Sequence, residues 1–345
     1  MMVSGQIPGD RPMTARTVDL RDTRHDSTKA LVALSASMGE EAARNWAEKR
    51  WGNRAPRNIV RSATASVLSS EIGSGTAYED PALFGAIRNR ASLFRIGARR
   101  IGFQTRTITG GHVAAAEVGQ GEAMPAVKPS FMLGGFARRK FGGLVVVTKE
   151  ALEAEPGVET LIFDGLTQAL ADKLDEAFLT PATVGSITNG VTPIPATSDM
   201  AADLRALVAD FQGDLGRAYF VLSPELAVAI SAAKVEPDLG ARGGDLFGVP
   251  CVVTRGAPAG QITLVDGAGI VAAWDEESHI ASSQQAAVEA DNEPDGDSTT
   301  PTGTSLISLF QANLWSFRGL VYANWSRTRP GSVSVLTGAT WEAES

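Results

Sequence analysis

From Val158 to Phe178 an apolar residue returns at every fourth position: Val158, Ile162, Leu166, Leu170, Leu174 and Phe178, reinforced by Leu161 and Ala177. This spacing predicts one amphipathic helix of about 22 residues, roughly 33 Å long at 1.5 Å per residue. Asp164, Asp172, Lys173, Asp175 and Glu176 fall off the stripe and are expected on its polar side. Upstream, Leu144–Thr148 reads as a buried strand and Lys149–Glu155 as a short acidic helical turn, broken by Pro156-Gly157.

The rest of the chain mixes both periods. Residues 1 to about 26 are polar and Pro/Gly-punctuated, an extended lead-in. A helix then runs from Ser27 to Trp51, its apolar stripe being Leu31, Leu34, Met38, Ala42 and Trp46. Polar linkers flank it, so it is expected to serve assembly more than the stability of one subunit. Residues 56–79, rich in Ser, Thr, Ala and Gly, read as an arm, and Asp80 as the cap of a short helix opened by Pro81. Ser198 or Asp199 caps another helix through Phe211, with Leu204, Leu207, Val208 and Phe211 facing inward. Arg217–Leu222 is a strand, and Ser223 caps a helix ending near Lys234. Strand runs follow at 246–254, 261–265 and 269–274; beyond the acidic loop 291–303, more lie at 306–318, 319–326 and 330–341. Helices and strands mixed without a regular βαβ repeat argue for the α+β class.

Between Arg99 and Gly143 the chain makes a glycine-rich excursion. Ile101–Gly111 leads out and Phe131–Gly143 leads back, while the tip, Glu117–Ser130, holds almost no large apolar residue. Two β-like limbs with a polar tip cannot form a core alone, so contact with another subunit is their natural stabilisation. Arg88, Arg90, Arg95, Arg99, Arg100 and Arg106 form a basic strip at its start, and Arg138, Arg139 and Lys140 a second at its return. Carboxylates of a neighbouring copy, among them Glu150, Glu153 and Glu155, are the expected partners. The candidate assembly residues are therefore Arg106, Glu117, Glu122, Lys128, Arg138, Arg139, Lys140, Glu153 and Glu155.

Composition narrows the chemistry. The 345 residues are 43% hydrophobic and carry a formal charge of −8, so the overall surface is not that of a polyanion binder. Cys251, the single cysteine, lies in the apolar run Val249–Val253 and reads as a buried strand thiol. It can make no intrachain disulfide, and residues 1–10 lack the regions of a signal peptide, so the protein is expected in the cytoplasm when made. Ser231–Lys234 matches S-x-x-K without its companion motifs. Gly267-Ala-Gly269 matches a dinucleotide fingerprint, but β-like residues follow where a helix is required. Asp291, Glu293 and Asp295 suggest a calcium loop, yet its twelfth position is Thr302 in place of the bidentate Glu. His25, His112 and His279 are dispersed. No enzyme activity, cofactor or metal is expected.

Several blocks in order resemble one family. They are Phe136–Leu152, the helix Val158–Leu179, Tyr219–Leu226, Leu246–Pro250 and Phe317–Tyr322. From Asp80 to Trp341 this order is similar to the major capsid proteins of tailed phages with the Hong Kong 97 type fold. The resemblance implies an N-arm, an extended loop, a peripheral domain holding a spine helix and an axial domain. It divides the chain into a lead-in and helix (1–55), an N-arm and short helix (56–98) and the extended loop (99–143). Residues 144–215 would carry the peripheral domain with the spine helix and the start of the axial domain. Residues 216–305 would be mainly axial, and 306–345 would return strands to the peripheral domain. The implied function is self-assembly into homo-pentamers and homo-hexamers of an icosahedral shell enclosing double-stranded DNA, located in the virion capsid. Implied partners are a portal, a scaffolding protein, the packaged DNA without sequence-specific binding, and a decoration protein, with no membrane. Only about 55 residues precede the arm, so a separate scaffolding protein is expected in place of a fused one. Some members crosslink subunits through Lys and Asn; Lys128 sits at a suggestive loop position, but Asn313 and Asn324 match no acceptor position. Encapsulin-like nanocompartment shells share the fold and are the alternative.

Overall fold

The computed structural model describes residues 28–30, 32–33, 40–52, 76–105, 135–154, 157–233, 238–276, 278–285, 287–289 and 306–341. Two six-stranded sheets, each with its own helices, organise them. The first is built on one long strand, β13 (Leu314–Arg327), which alternates buried and half-buried residues through its second half. Antiparallel to it run β3 (Arg139–Thr148), β9 (Ile270–Trp274) and β10 (Ser278–Ser283). Strand β1 (Thr76–Asp80) extends the sheet beyond β10, and β2 (Arg99–Ile101) pairs in parallel with β9.

The helix α5 (Val158–Leu179) lies on this sheet with the bounds its periodicity predicts. Gly157 precedes it at φ 87°, a left-handed conformation that suits glycine. All six residues of the four-step stripe are buried. Two positions depart from expectation: Leu161 is 61% exposed, whereas Asp175 is only 1% exposed. The reason is geometric. Four residues advance about 40° beyond a full turn at 3.6 residues per turn, so the buried arc wraps around the helix. At the N-terminal end it leaves Leu161 behind; at the C-terminal end it takes in Ala171 and Asp175.

The second sheet runs in the order β4 (Ile194–Pro195), β14 (Val333–Thr337), β8 (Ile262–Asp266), β5 (Ala218–Leu222), β7 (Val249–Val253) and β6 (Gly244–Leu246). Strand β8 is buried along its whole length, as a central strand with both faces covered must be. Two helices help to close its core, which includes Leu204, Leu207, Phe220, Leu226, Ile230 and Leu264. In α6 (Met200–Asp210) the cap is Asp199, whose side chain accepts from the Ala202 amide, and Val208 is half-buried. In α7 (Pro224–Ala232) the Ser223 hydroxyl accepts from the Leu226 amide. Cys251 is buried, and its thiol donates to the Val249 carbonyl at 3.8 Å.

Several boundaries moved. Strand β3 begins at Arg139, five residues before the apolar run, because the long β13 supplies partners out to Ala323. The run at 306–326 divides into a short β12 (Leu306–Ser308), turns, and β13; β12 pairs with β11 (Ala287–Glu289). Asp80 ends strand β1, and Pro81 opens the helix α2 (Pro81–Arg90). Gly267–Gly269 is a single 3-10 turn leading into β9, so no helix stands there to meet a pyrophosphate.

Residues 28–30, 32–33 and α1 (Glu40–Trp51) are helical. The buried face of α1 is Ala43 and Ala47, against Ala30 and Ala33, while Ala42 of the expected stripe is exposed. Val32 belongs to the main core, Trp46 and Trp51 pack against it, and Arg50 donates to the Glu153 carbonyl at 2.8 Å. The segment is therefore packed on its own chain, whereas the sequence pointed to a role in assembly more than in the stability of one subunit. Leu31, Leu34 and Met38 lie outside the described residues.

Candidate assembly surface

The two limbs of the excursion meet at their base. The Gln104 amide donates to the Phe136 carbonyl at 3.2 Å, and the Asn324 side chain donates to the Ala137 carbonyl at 2.7 Å. Beyond this base, Arg106, Glu117, Glu122 and Lys128 lie outside the described residues, as do Glu155 and the acidic loop with Asp291, Glu293 and Asp295. What can be followed is how the base holds its charges.

Arg138, Arg139 and Lys140 diverge. Arg138 bonds Asp275 at 3.2 Å and lies 5.2 Å from the Phe103 ring centroid. Arg139 stacks over Trp325 at 4.8 Å and Phe141 at 5.6 Å, and burial pushes its guanidinium below the ordinary value. The Trp325 ring is itself held by Phe141 on one side and Phe178 of α5 on another. Cation and aromatic planes thus tie the start of β3 to the sheet. Lys140 is exposed, opposite Tyr322 in register.

The proposed acceptors are also engaged at home. Glu150 accepts from Asn313 at 2.7 Å, and its carboxyl is held below the ordinary value by its own backbone amide first and by Asn313 next. Glu153 lies 4.0 Å from Lys149, one turn away on α4 (Lys149–Ala154), and is half exposed. Within the arginine strip, Arg95 donates to the Val253 carbonyl at 3.4 Å, whereas Arg100 pairs with Glu276 and lies over Trp274. Asp275 and Glu276 were missed by sequence reasoning. Their only signal was a run of three acidic residues, Asp275 to Glu277, directly after a strand whose neighbours carry arginines.

Exposed apolar side chains complete the surface. Leu144 and Val146 lie on the face of β3 turned away from α5, and Leu306, Ile307 and Phe310 stand exposed at β12 and the turn after it. Among the described residues no group of His, Cys, Asp and Glu could hold a metal ion, and no helix is long and apolar enough to cross a membrane.

The profile of the phage capsid family matches residues 79–335, most of the chain and both sheets. The chain belongs to the phage capsid family. A curated relative, the capsid polyprotein of Pseudomonas phage PAJU2, is 32% identical over an alignment of 251 residues that covers 66% of this chain. The chain spans 37% of that relative's length. Among solved structures, that of Gordonia phage Cozz is 17% identical, with a TM-score of 0.48, covering 72% of this chain and 86% of that one. The capsid of a native GTA particle is 13% identical, with a TM-score of 0.44, covering 73% of this chain and 91% of that one. The α+β class is plain in the two sheets and their helices.

Proposed function

We propose that this chain is a major capsid protein that assembles with itself into pentamers and hexamers of an icosahedral shell around double-stranded phage DNA. The observation that carries the reading is the family match over residues 79–335, which spans the spine helix and both sheets. The excursion supports it: its limbs are pinned at Gln104 and Phe136, and its polar tip is an element suited to a neighbouring copy. The encapsulin alternative is not favoured, since the family and the curated relative are phage capsids.

In this reading the protein is structural and catalyses no reaction. A portal, a scaffolding protein and a decoration protein are its partners, and the DNA inside is held without sequence recognition. Assembly takes place in the host cytoplasm and ends in the virion. The axial role belongs to the second sheet and the peripheral role to the first. Arg106, Glu117, Glu122, Lys128, Lys140, Glu153 and Glu155 would form intersubunit contacts, with Arg138 and Arg139 fixing the base from which the loop departs. Light scattering of the purified full chain tests this reading. Species of megadalton mass support it, and a monodisperse 36.1 kDa monomer at all concentrations contradicts it.

A further inference from the structure

Asp175 sits where the spine helix meets the second sheet. Its Oδ1 accepts from both the amide and the hydroxyl of Ser92, each at 2.7 Å, at the start of α3 (Ser92–Arg95). Its Oδ2 accepts from the hydroxyl of Thr254, the residue after β7. Gly256 follows so closely that a Cβ there would come within 2.5 Å of the Asp175 Cβ and 2.6 Å of the Asp172 carbonyl oxygen. Other polar ties cross the same joint: Arg95 to the Val253 carbonyl at 3.4 Å, and Gln261 to the Leu179 carbonyl at 3.0 Å. The carboxyl is thus the most enclosed polar link among these ties between the first body and the second sheet.

We propose that Asp175 is a proton-operated latch between the spine helix and the second sheet, closed most firmly with a proton on Oδ2 and easier to open as the pH rises. The bonding is asymmetric in a way that suits this role. A proton on Oδ2 lets the acid donate to Thr254 Oγ1, while Oδ1 remains an acceptor for Ser92. Without the proton, a full charge is enclosed with hydroxyl and amide donors around it and, among the described residues, no cation bonded to it.

The charged groups around the joint are few in kind. Its own helix brings Asp172, whose charge opposes ionisation, and Glu176, which is bonded to Lys173 at 2.9 Å. The short helix α3 brings Arg95, turned to the Val253 carbonyl, and the loop after β7 brings the exposed Arg255. Burial, the largest effect, pushes the carboxyl up from 3.8 to about 6 against the hydroxyl and amide bonds that lower it. Opening returns the group to water and to its ordinary value. The open form therefore binds the proton less tightly, and opening releases it as pH rises through this window. Over the whole window the bias amounts to roughly a hundredfold, of which about tenfold falls between pH 5 and pH 8.

The test is residue-resolved hydrogen exchange on the full chain from pH 5 to pH 8, with each rate divided by its intrinsic rate. The opening constant read at the Ser92 and Gly256 amides should rise about tenfold, while that at Leu166, inside the spine helix, should not follow it. In Asp175→Asn the amide can donate to Thr254 and accept from Ser92 as the protonated acid does, so its profile should be flat. A flat profile in the wild type, or the same slope in the Asn variant, would overturn the latch. Should the variant fail to fold, carboxyl titration of the wild type by carbon-13 NMR decides: a buried Asp titrating near pH 6 upholds it, and none above pH 5 overturns it.

Discussion

Gly143 and Gly319 stand directly opposite one another across β3 and β13, and Leu166 and Leu170 of α5 lie over both. A Cβ on Gly319 would come 3.1 Å from Leu170 Cδ1, and one on Gly143 would come 3.4 Å from Leu166 Cδ2. The paired glycines thus make a shallow saddle in which the helix sits close to the sheet. Gly319→Ala asks only for a small shift at the end of a leucine. Gly319→Val should lift the helix and cost about 1–3 kcal/mol of protomer stability, as overpacking does. Urea unfolding of the two variants measures it; equal, negligible losses would mean the saddle is not close-packed.

The three cations at the loop base should separate experimentally. Arg139→Ala loses its stacking on Trp325 and Phe141 and should cost about 1–2 kcal/mol. Arg138→Ala removes an exposed ion pair and should cost less than about 1 kcal/mol. Lys140→Glu should leave the thermal midpoint of the protomer unchanged but lower shell yield. Assembly indifferent to Lys140→Glu would remove that lysine from the interface.

The N-terminal helix offers a sharper choice. Ala43 and Ala47 are fully buried, so Ala43→Asp would place an unpaired charge in that contact. A clear drop in the urea midpoint of the protomer is expected. An unchanged midpoint with failed assembly would return α1 to a role between subunits.

Much of this was legible in the chain itself. Helix α5 was readable to the residue because its apolar stripe ends at Pro156-Gly157 on one side and Thr180-Pro181 on the other. The capping residues Asp199 and Ser223 announced their helices through side chains that bond the first-turn amides. What escaped was set by partners distant in sequence. Strands β1 and β10 have little apolar alternation and exist because β13 and its neighbours supply their hydrogen bonds. Asp175 looked solvated because a fixed four-residue step was followed without its 40° drift. The loop-base arginines looked unpaired because Asp275, Glu276 and Trp325 are brought to them only by the sheet.

The central claim is that this subunit builds a closed shell and that the excursion joins its copies. Negative-stain microscopy of the purified full chain beside a variant lacking residues 110–130 tests it most directly. The account predicts shells or ring-shaped capsomers from the intact chain, and folded protomers that assemble poorly from the variant. Small single particles from the intact chain, or normal shells from the deletion, would contradict it.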